Sequence, residues 1–163
     1  MSLKARGPLF YLSQSNLIIM QIKQIQSREE INETLAVLLQ IYDGINKEHY
    51  VDSILGMIEH GYKMAAVFED YMIENGRCIG VIGGRVIHRL QHGKVLEIED
   101  FMIDRQKRGI GVGKMLLRWV EWQAAVFQCT NIVGNLETKR QESQKIFSRE
   151  KFILDGFLFR KTC

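Results

Sequence analysis

The sequence has little proline, few cysteines and no long apolar run, and each shortage excludes something. One proline, Pro8, stands in 163 residues, and no repeat, low-complexity tract or linker interrupts the chain. Three cysteines, Cys78, Cys129 and Cys163, cannot all pair. Their spacing suits neither a disulfide framework nor a zinc site, so a reducing cytoplasm is the simplest setting. No stretch approaches the ~18 apolar residues of a membrane span, so no membrane partner is expected. A net charge of +3, with the basic residues scattered, gives no reason to expect nucleic acid. His88 and His92 are four apart, but they fall in an expected turn and Arg89 stands where a zincin needs Glu, so no metal is expected.

What is present is ordinary for a globular chain: 46% hydrophobic and 25% charged residues, with length enough for one core. Residues 1–16 show no period. Lys4 and Arg6 ahead of Gly7 to Leu12 faintly resemble a signal peptide, but the apolar region is shorter than ~7–15 residues and lacks a cleavage site. This stretch reads as a loose extension, with Met20 an alternative start, and 17–163 reads as a single domain.

Leu17 to Ile25 reads as a strand. Ser27, three residues before Glu30, predicts a capping box opening a helix with Ile31, Leu35, Leu38 and Leu39 on its apolar face. A second helix over Lys47 to Glu59 ends near Gly61. Strands follow at Lys63 to Glu69 and Arg77 to Ile87, joined by an Asn75-Gly76 turn, and the second contains Gly80, Gly83 and Gly84. After a turn at His88 to Lys94 comes an acidic strand over 95–104. Thr130 to Leu136 reads as a fifth strand, Lys139 to Phe152 as a helix, and 153–161 as short strands around Asp155-Gly156.

The stretch from Val95 to Phe127 organises the rest. An apolar strand carrying Glu97, Glu99 and Asp100 passes through a basic, glycine-dense turn, Lys107 to Lys114, into a helix with Met115, Leu116, Trp119, Val120, Val126 and Phe127 near a 3.6-residue period. Strand, glycine turn and helix N-terminus bind phosphate, because unpaired N–H groups and the positive dipole end face the anion. A P-loop fails on spacing: Arg108 stands five residues before Gly113, and Met115 where Ser or Thr belongs. A dinucleotide fingerprint also fails, because Gly109, Gly111 and Gly113 bring the third glycine one residue early.

Arg108-x-x-Gly111-x-Gly113, preceded by Ile98 to Ile103, resembles motif A of the GNAT superfamily of N-acetyltransferases. It most resembles the diamine and polyamine (spermidine/spermine) branch, where an acid pair and an aromatic precede an R-G-x-G-x-G turn. The resemblance implies an α/β (α+β) GNAT fold: a mixed sheet of about six to seven strands, flanked by about four helices and splayed between the fourth and fifth strands. It also implies acetyl-CoA as co-substrate. The diphosphate would lie on Arg108, Gly109, Ile110, Gly111, Val112, Gly113 and Lys114. The pantetheine arm would pair with the backbone of Phe101, Met102 and Ile103, and one of those N–H groups would polarise the thioester carbonyl.

An alkylamine has a pKa near ~10.4, so a carboxylate must take its proton. Glu97 and Glu99 point the same way on a strand, roughly 7 Å apart. The resemblance makes Glu99 the first candidate for the base and Asp100 the second, with Glu97 near the acceptor. The competing reading pairs these acids with Arg85 or Arg89 of a neighbouring strand. Tyr42, Asp43, His49, Tyr50 and Asp52 are candidates to line the acceptor site, against the reading of polar residues facing solvent. Against the family pattern N-x-x-A-x-x-L-Y-E-K-x-G-F, Arg140 replaces Asn, Ser143 replaces Ala and Phe147 replaces Tyr, while Phe152 keeps its place. Arg140 and Phe147 would border the coenzyme, and Phe147 has no proton to give a departing thiolate. It reads equally as a core residue, with Ser148 or a water as the proton source.

The implied activity is acetyl transfer to a primary amine of a small molecule, a di- or polyamine being the expected class, by direct attack within a ternary complex. A protein N-terminal or lysine acetyltransferase and a non-catalytic acyl-CoA-binding module are the alternatives. A homodimer is compatible with the sequence and not specified by it.

Overall fold

β1 (Met20–Ile25) leads into a helix whose start is set by two side chains. The computed structural model describes residues 19–42, 44–69, 76–136, 140–156 and 159–162. Ser27 Oγ accepts from the Glu30 N–H at 3.2 Å, and Glu30 Oε2 accepts from the Ser27 N–H at 3.1 Å. That reciprocal cap satisfies two otherwise orphaned donors and opens α1 (Arg28–Leu38), which buries Ile31, Thr34, Val37 and Leu38. α2 (Tyr50–Glu59) begins later than the expected Lys47, because 47–49 form a turn with no side-chain cap at His49. It is followed by Gly61 at φ +87°, the left-handed conformation favoured just past a helix end.

The sheet runs in the order β1-β2-β3-β4-β5, with β2 (Tyr62–Glu69), β3 (Arg77–Arg89), β4 (Gly93–Ile103) and β5 (Asn131–Gly134). Pairings are antiparallel up to β4, and β4–β5 is parallel. The parallel step is bridged by α3 (Val112–Val126), as a crossover requires. Side chains of the sheet divide between two cores. Met64, Ala66, Phe68, Val81 and Met102 pack with α1 and α2, while Ala65, Val67, Ile82, Leu96, Ile98, Phe101 and Ile103 pack with α3. α4 (Gln141–Arg149) joins the second core through Phe147.

Two features of β4 position the candidate site. Ile98 and Phe101 face the same core although they are three apart, so the two-residue period slips between them. The register shows how: Gly84 opposes Ile98 and Gly83 opposes Asp100, leaving Glu99 as the extra residue of a β-bulge. A Cβ at Gly84 would stand 2.1 Å from the Glu97 carbonyl oxygen, so only glycine admits this close approach. The second feature is a fork. β5 pairs only with Val95 to Ile98, and β4 runs on to Ile103 without it.

Among the described residues the sheet has five strands, not the six to seven expected, and the short strands expected over 153–161 are not found. Ile153, Leu154 and Phe159 are instead fully or largely exposed. Their apolar, turn-punctuated pattern favours strand locally, but a strand also needs an edge to pair its N–H and C=O groups, and no such pairing forms among the described residues there. The expected extension at 1–16, Asn75 of the expected turn and Asp43 lie outside the described residues. Among the described residues, no helix is long and apolar enough to cross a membrane.

Candidate active site

The glycine turn is built from two left-handed residues. Gly109 has φ +82° and Gly111 φ +97°, and a Cβ on either would meet nothing within 4 Å. Glycine is therefore required by backbone conformation there, and the space above both is open. Gly111 caps α3 without a side-chain hydrogen bond, and the first intrahelical donor is the Met115 N–H, to Gly111 O at 3.1 Å. The N–H groups of Val112, Gly113 and Lys114 therefore have no carbonyl within the helix.

Gly113 is different. It is buried, and a Cβ would lie 3.0 Å from Ile103 Cδ1 and 3.2 Å from Ile146 Cδ1, so its glycine lets α3, β4 and α4 close on one another. Val112 is also a core residue, and Ile110 is half-buried against that core.

Of the four cations around the turn, two hold the turn itself. Lys107 pairs with Glu69, and the Arg105 guanidinium donates to Gln40 O at 2.8 Å. Arg108 and Lys114 are exposed, with no ion pair shown among the described residues. Asp104, 2% exposed, accepts from Gln106 N–H at 2.9 Å and Arg77 at 2.6 Å. Burial raises its pKa, but these donors together with Gln40 outweigh burial and hold the carboxyl below its usual range.

Beside the turn, the fork exposes one edge of β4. Asp104 N–H donates to Ile79 O of β3. Strand alternation then turns the backbone groups of Phe101 and Ile103 away from β3, towards the fork, and those of Met102 towards β3. Arg140, at the start of α4, reaches this edge and donates to the Phe101 carbonyl. Phe147 fills the base of the fork: it is 5% exposed, meets Phe101 edge-on at 5.2 Å and Phe152 at 4.6 Å, and lies where a Cβ of Gly134 would stand 2.5 Å from its ring. The next residue, Ser148, is exposed.

On the sheet face covered by α1 and α2, the bulge turns Glu99 and Asp100 to the same side. Asp100 accepts from the Tyr62 hydroxyl at 2.7 Å and the Tyr42 hydroxyl at 3.0 Å. Glu99 has both carboxylate oxygens engaged by Arg85, through Nε and through Nη2 at 3.0 Å. Arg85 in turn lies over the Tyr62 ring, 5.9 Å from its centroid. Glu97 pairs with Arg89 at 3.1 Å and accepts from Asn135. The pairing with β3 arginines weighed from the sequence is thus present for both glutamates, although neither pair takes them off the site face.

Tyr62 is 1% exposed. Burial first, then the neighbouring Asp100 charge, push its pKa well above the usual tyrosine value, so it stays a neutral donor. Gly83 makes room for it, since a Cβ there would fall 1.7 Å from the Tyr62 hydroxyl.

Among the acceptor candidates, the structure brings Tyr42 to Asp100 but not Tyr50. The Tyr50 hydroxyl is bound to Thr34 at 2.6 Å, and burial pushes its pKa up to about 12. His49 is exposed, and Asp52 is exposed and paired with Arg28 at 2.7 Å, as solvent-facing helix residues are. Tyr62 and Arg85 were not singled out as site residues in the sequence. The available signal was Gly83-Gly84 inside a strand, which marks a bulge and a close approach by another group.

The turn passes the test of fit for a coenzyme diphosphate: open space over two left-handed glycines, unpaired helix N–H groups, and two exposed cations. Residues 33–149 match the model of the acetyltransferase (GNAT) family. Among curated proteins no sequence matches the chain.

Solved structures match in fold. An aminoglycoside N-acetyltransferase in complex with CoA superposes with TM-score 0.72 at 19% identity, covering 91% of this chain and 99% of that one. A Trypanosoma brucei acetyltransferase gives 0.71 at 17%, covering 88% and 99%. Glucosamine-6-phosphate N-acetyltransferase from Arabidopsis thaliana gives 0.71 at 13%, covering 88% and 97%. The glycine turn, the bulged acidic strand and the fork lie within the matched residues, and the chain belongs to the GNAT acetyltransferase family.

Proposed function

We propose that this enzyme transfers the acetyl group of acetyl-CoA to a primary amine of a small molecule, by direct attack within a ternary complex. The observation that carries the reading is one strand, β4, that leaves a diphosphate-binding turn at one end and presents two carboxylates at a bulge on its side. The structural relatives that act on aminoglycosides and on glucosamine-6-phosphate support a small amine acceptor.

Acetyl-CoA supplies an acyl group activated as a thioester. The N–H groups of Val112, Gly113 and Lys114, with Arg108 and Lys114 adding charge, hold its diphosphate. The backbone of Phe101 and Ile103, turned to the fork, holds the pantetheine arm and offers an N–H to the thioester oxygen. Arg140, now on the Phe101 carbonyl, shares that edge and moves aside or rearranges on binding. Met102 contributes through its place in the strand, its own backbone groups facing β3.

Asp100 receives the amine. Among the described residues it is the carboxylate on the site face with no arginine partner, and two tyrosine hydroxyls fix its orientation. An ammonium with a pKa near ~10.4 must lose its proton before attack, and Asp100, directly or through a water, accepts it. Glu99, bound on both oxygens by Arg85, has its charge balanced and relays the proton only when that pair opens. No side-chain acid stands at Phe147. A thiol ionises near ~8.5, so departure as thiolate needs none.

The test is thiol release from acetyl-CoA across a panel of monoamines, polyamines, aminoglycosides and peptides. Release with small amines and not with peptides supports the reading. Release with peptides alone replaces it by a protein acetyltransferase.

A further inference from the structure

We infer that Arg85 sets the net charge of the acceptor site and thereby selects amines bearing one positive charge over diamines and polyamines. This rests on the amine-acceptor reading above and names its substrate class.

The site face carries three carboxylates, and a count of acids alone suggests a polycation. The geometry says otherwise. Glu97 is balanced by Arg89, at 3.1 Å, and is further bound by Asn135. Glu99 is balanced by Arg85 through two parallel hydrogen bonds, the bidentate arrangement that holds a guanidinium most firmly. Among the described residues, Asp100 is met by neutral donors alone, Tyr42 and Tyr62. One net negative charge among the described residues is therefore left to meet the substrate.

Arg85 is not a wandering surface side chain. It lies over the Tyr62 ring, and that ring is seated against Gly83 on the same strand. Tyr62 thus joins the carboxylate that would hold the ammonium to the arginine that silences its neighbour. A second ammonium on the substrate would find its nearest carboxylate already paired and a guanidinium beside it.

Removing the arginine charge while leaving Glu99 adds one net negative charge to the site. A unit charge acting over several ångströms at a half-exposed position changes the binding of a second ammonium by about tenfold. Arg85 acts through Glu99, so it is a positioning residue, and a selectivity ratio separates that role from a merely structural one. A structural defect lowers both substrates together and leaves the ratio unchanged.

The experiment is steady-state kcat/KM, by thiol release from acetyl-CoA, for butylamine and for putrescine, its terminal diamine. The full chain is compared with Arg85→Gln, Arg85→Lys and Glu99→Gln. The native enzyme should prefer butylamine. Arg85→Gln should raise the putrescine-to-butylamine ratio about tenfold, and Arg85→Lys should restore the native ratio. Glu99→Gln, which leaves the guanidinium unbalanced, should raise KM for both amines, and more for putrescine.

A native preference for putrescine or for polycationic aminoglycosides overturns the inference, even if Arg85→Gln does not fold. An unchanged ratio in a folded Arg85→Gln overturns it too. Either result leaves amine acetylation standing. No thiol release with any amine removes the amine-acceptor reading itself, and the inference with it.

Discussion

Gly83 and Tyr62 illustrate how a single missing methyl decides chemistry. The Tyr62 hydroxyl occupies the volume that an alanine Cβ at 83 would need, 1.7 Å away, and that hydroxyl holds Asp100. Gly83→Ala must displace a buried ring, so a loss of about 1–3 kcal/mol in urea unfolding is expected, with a fall in kcat alongside it. Unchanged stability would mean that Tyr62 does not sit there.

The two carboxylates at the bulge should also separate kinetically. Asp100→Asn removes the proton acceptor and should lower kcat by about 10²–10⁴-fold. Glu99→Gln should act mainly on KM, by leaving Arg85 unpaired. The reverse pattern would exchange the two roles.

Asp104 gives a pH prediction at the same scale. Its folded pKa lies below the usual aspartate value, despite burial, because Gln106, Gln40 and Arg77 bind the charged form. A depressed acid pKa contributes stability that is present above the unfolded value and lost as pH falls through the folded one. Stability should therefore drop below about pH 4, and Asp104→Asn should flatten that part of the curve. Tyr62 and Tyr50 have raised pKa values, from 10.0, so their contribution is intact below about pH 10 and declines above it.

At the scale of elements, the join between β4 and α3 carries both function and packing, and its glycines divide the work. Gly109 and Gly111 need left-handed backbone under open space, whereas Gly113 needs room between Ile103 and Ile146. Gly111→Ala should cost about 1–2 kcal/mol from backbone conformation alone and weaken coenzyme binding. Gly113→Ala should destabilise by tightening the contact of α3 with α4. Equal effects of the two on coenzyme affinity would contradict this division.

At the fork, Phe147→Ala should cost about 3–5 kcal/mol, because the ring is wedged among Phe101, Phe152 and Gly134.

Across the whole molecule, what the sequence shows and what it hides differ for a physical reason. Local signals were legible. The Ser27–Glu30 cap and the period of α3 depend on near neighbours, and so does the left-handed turn at Gly109 and Gly111. Side-chain partners across the sheet were legible only as alternatives: Arg85 and Arg89 stood as rivals for the acids without a register to decide which acid each meets. The register itself was hidden, because one bulge at Glu99 shifts every later residue of β4 to the other face. Tyr62 stood just outside the strand expected over Lys63 to Glu69, and its partner Asp100 lies 38 residues on. The strands expected at 153–161 show the converse: local preference was present, but no pairing with the edge of the sheet forms among the described residues.

The account turns on the start of α3 gripping the coenzyme diphosphate. Isothermal titration of acetyl-CoA into the full chain and into Gly111→Glu tests this most directly. The account predicts one site in the native chain and a loss of affinity of more than about 100-fold in the variant, with urea unfolding confirming that Gly111→Glu is folded. A native chain that takes up no acetyl-CoA, or a folded variant that binds it as tightly as the native one, would contradict it.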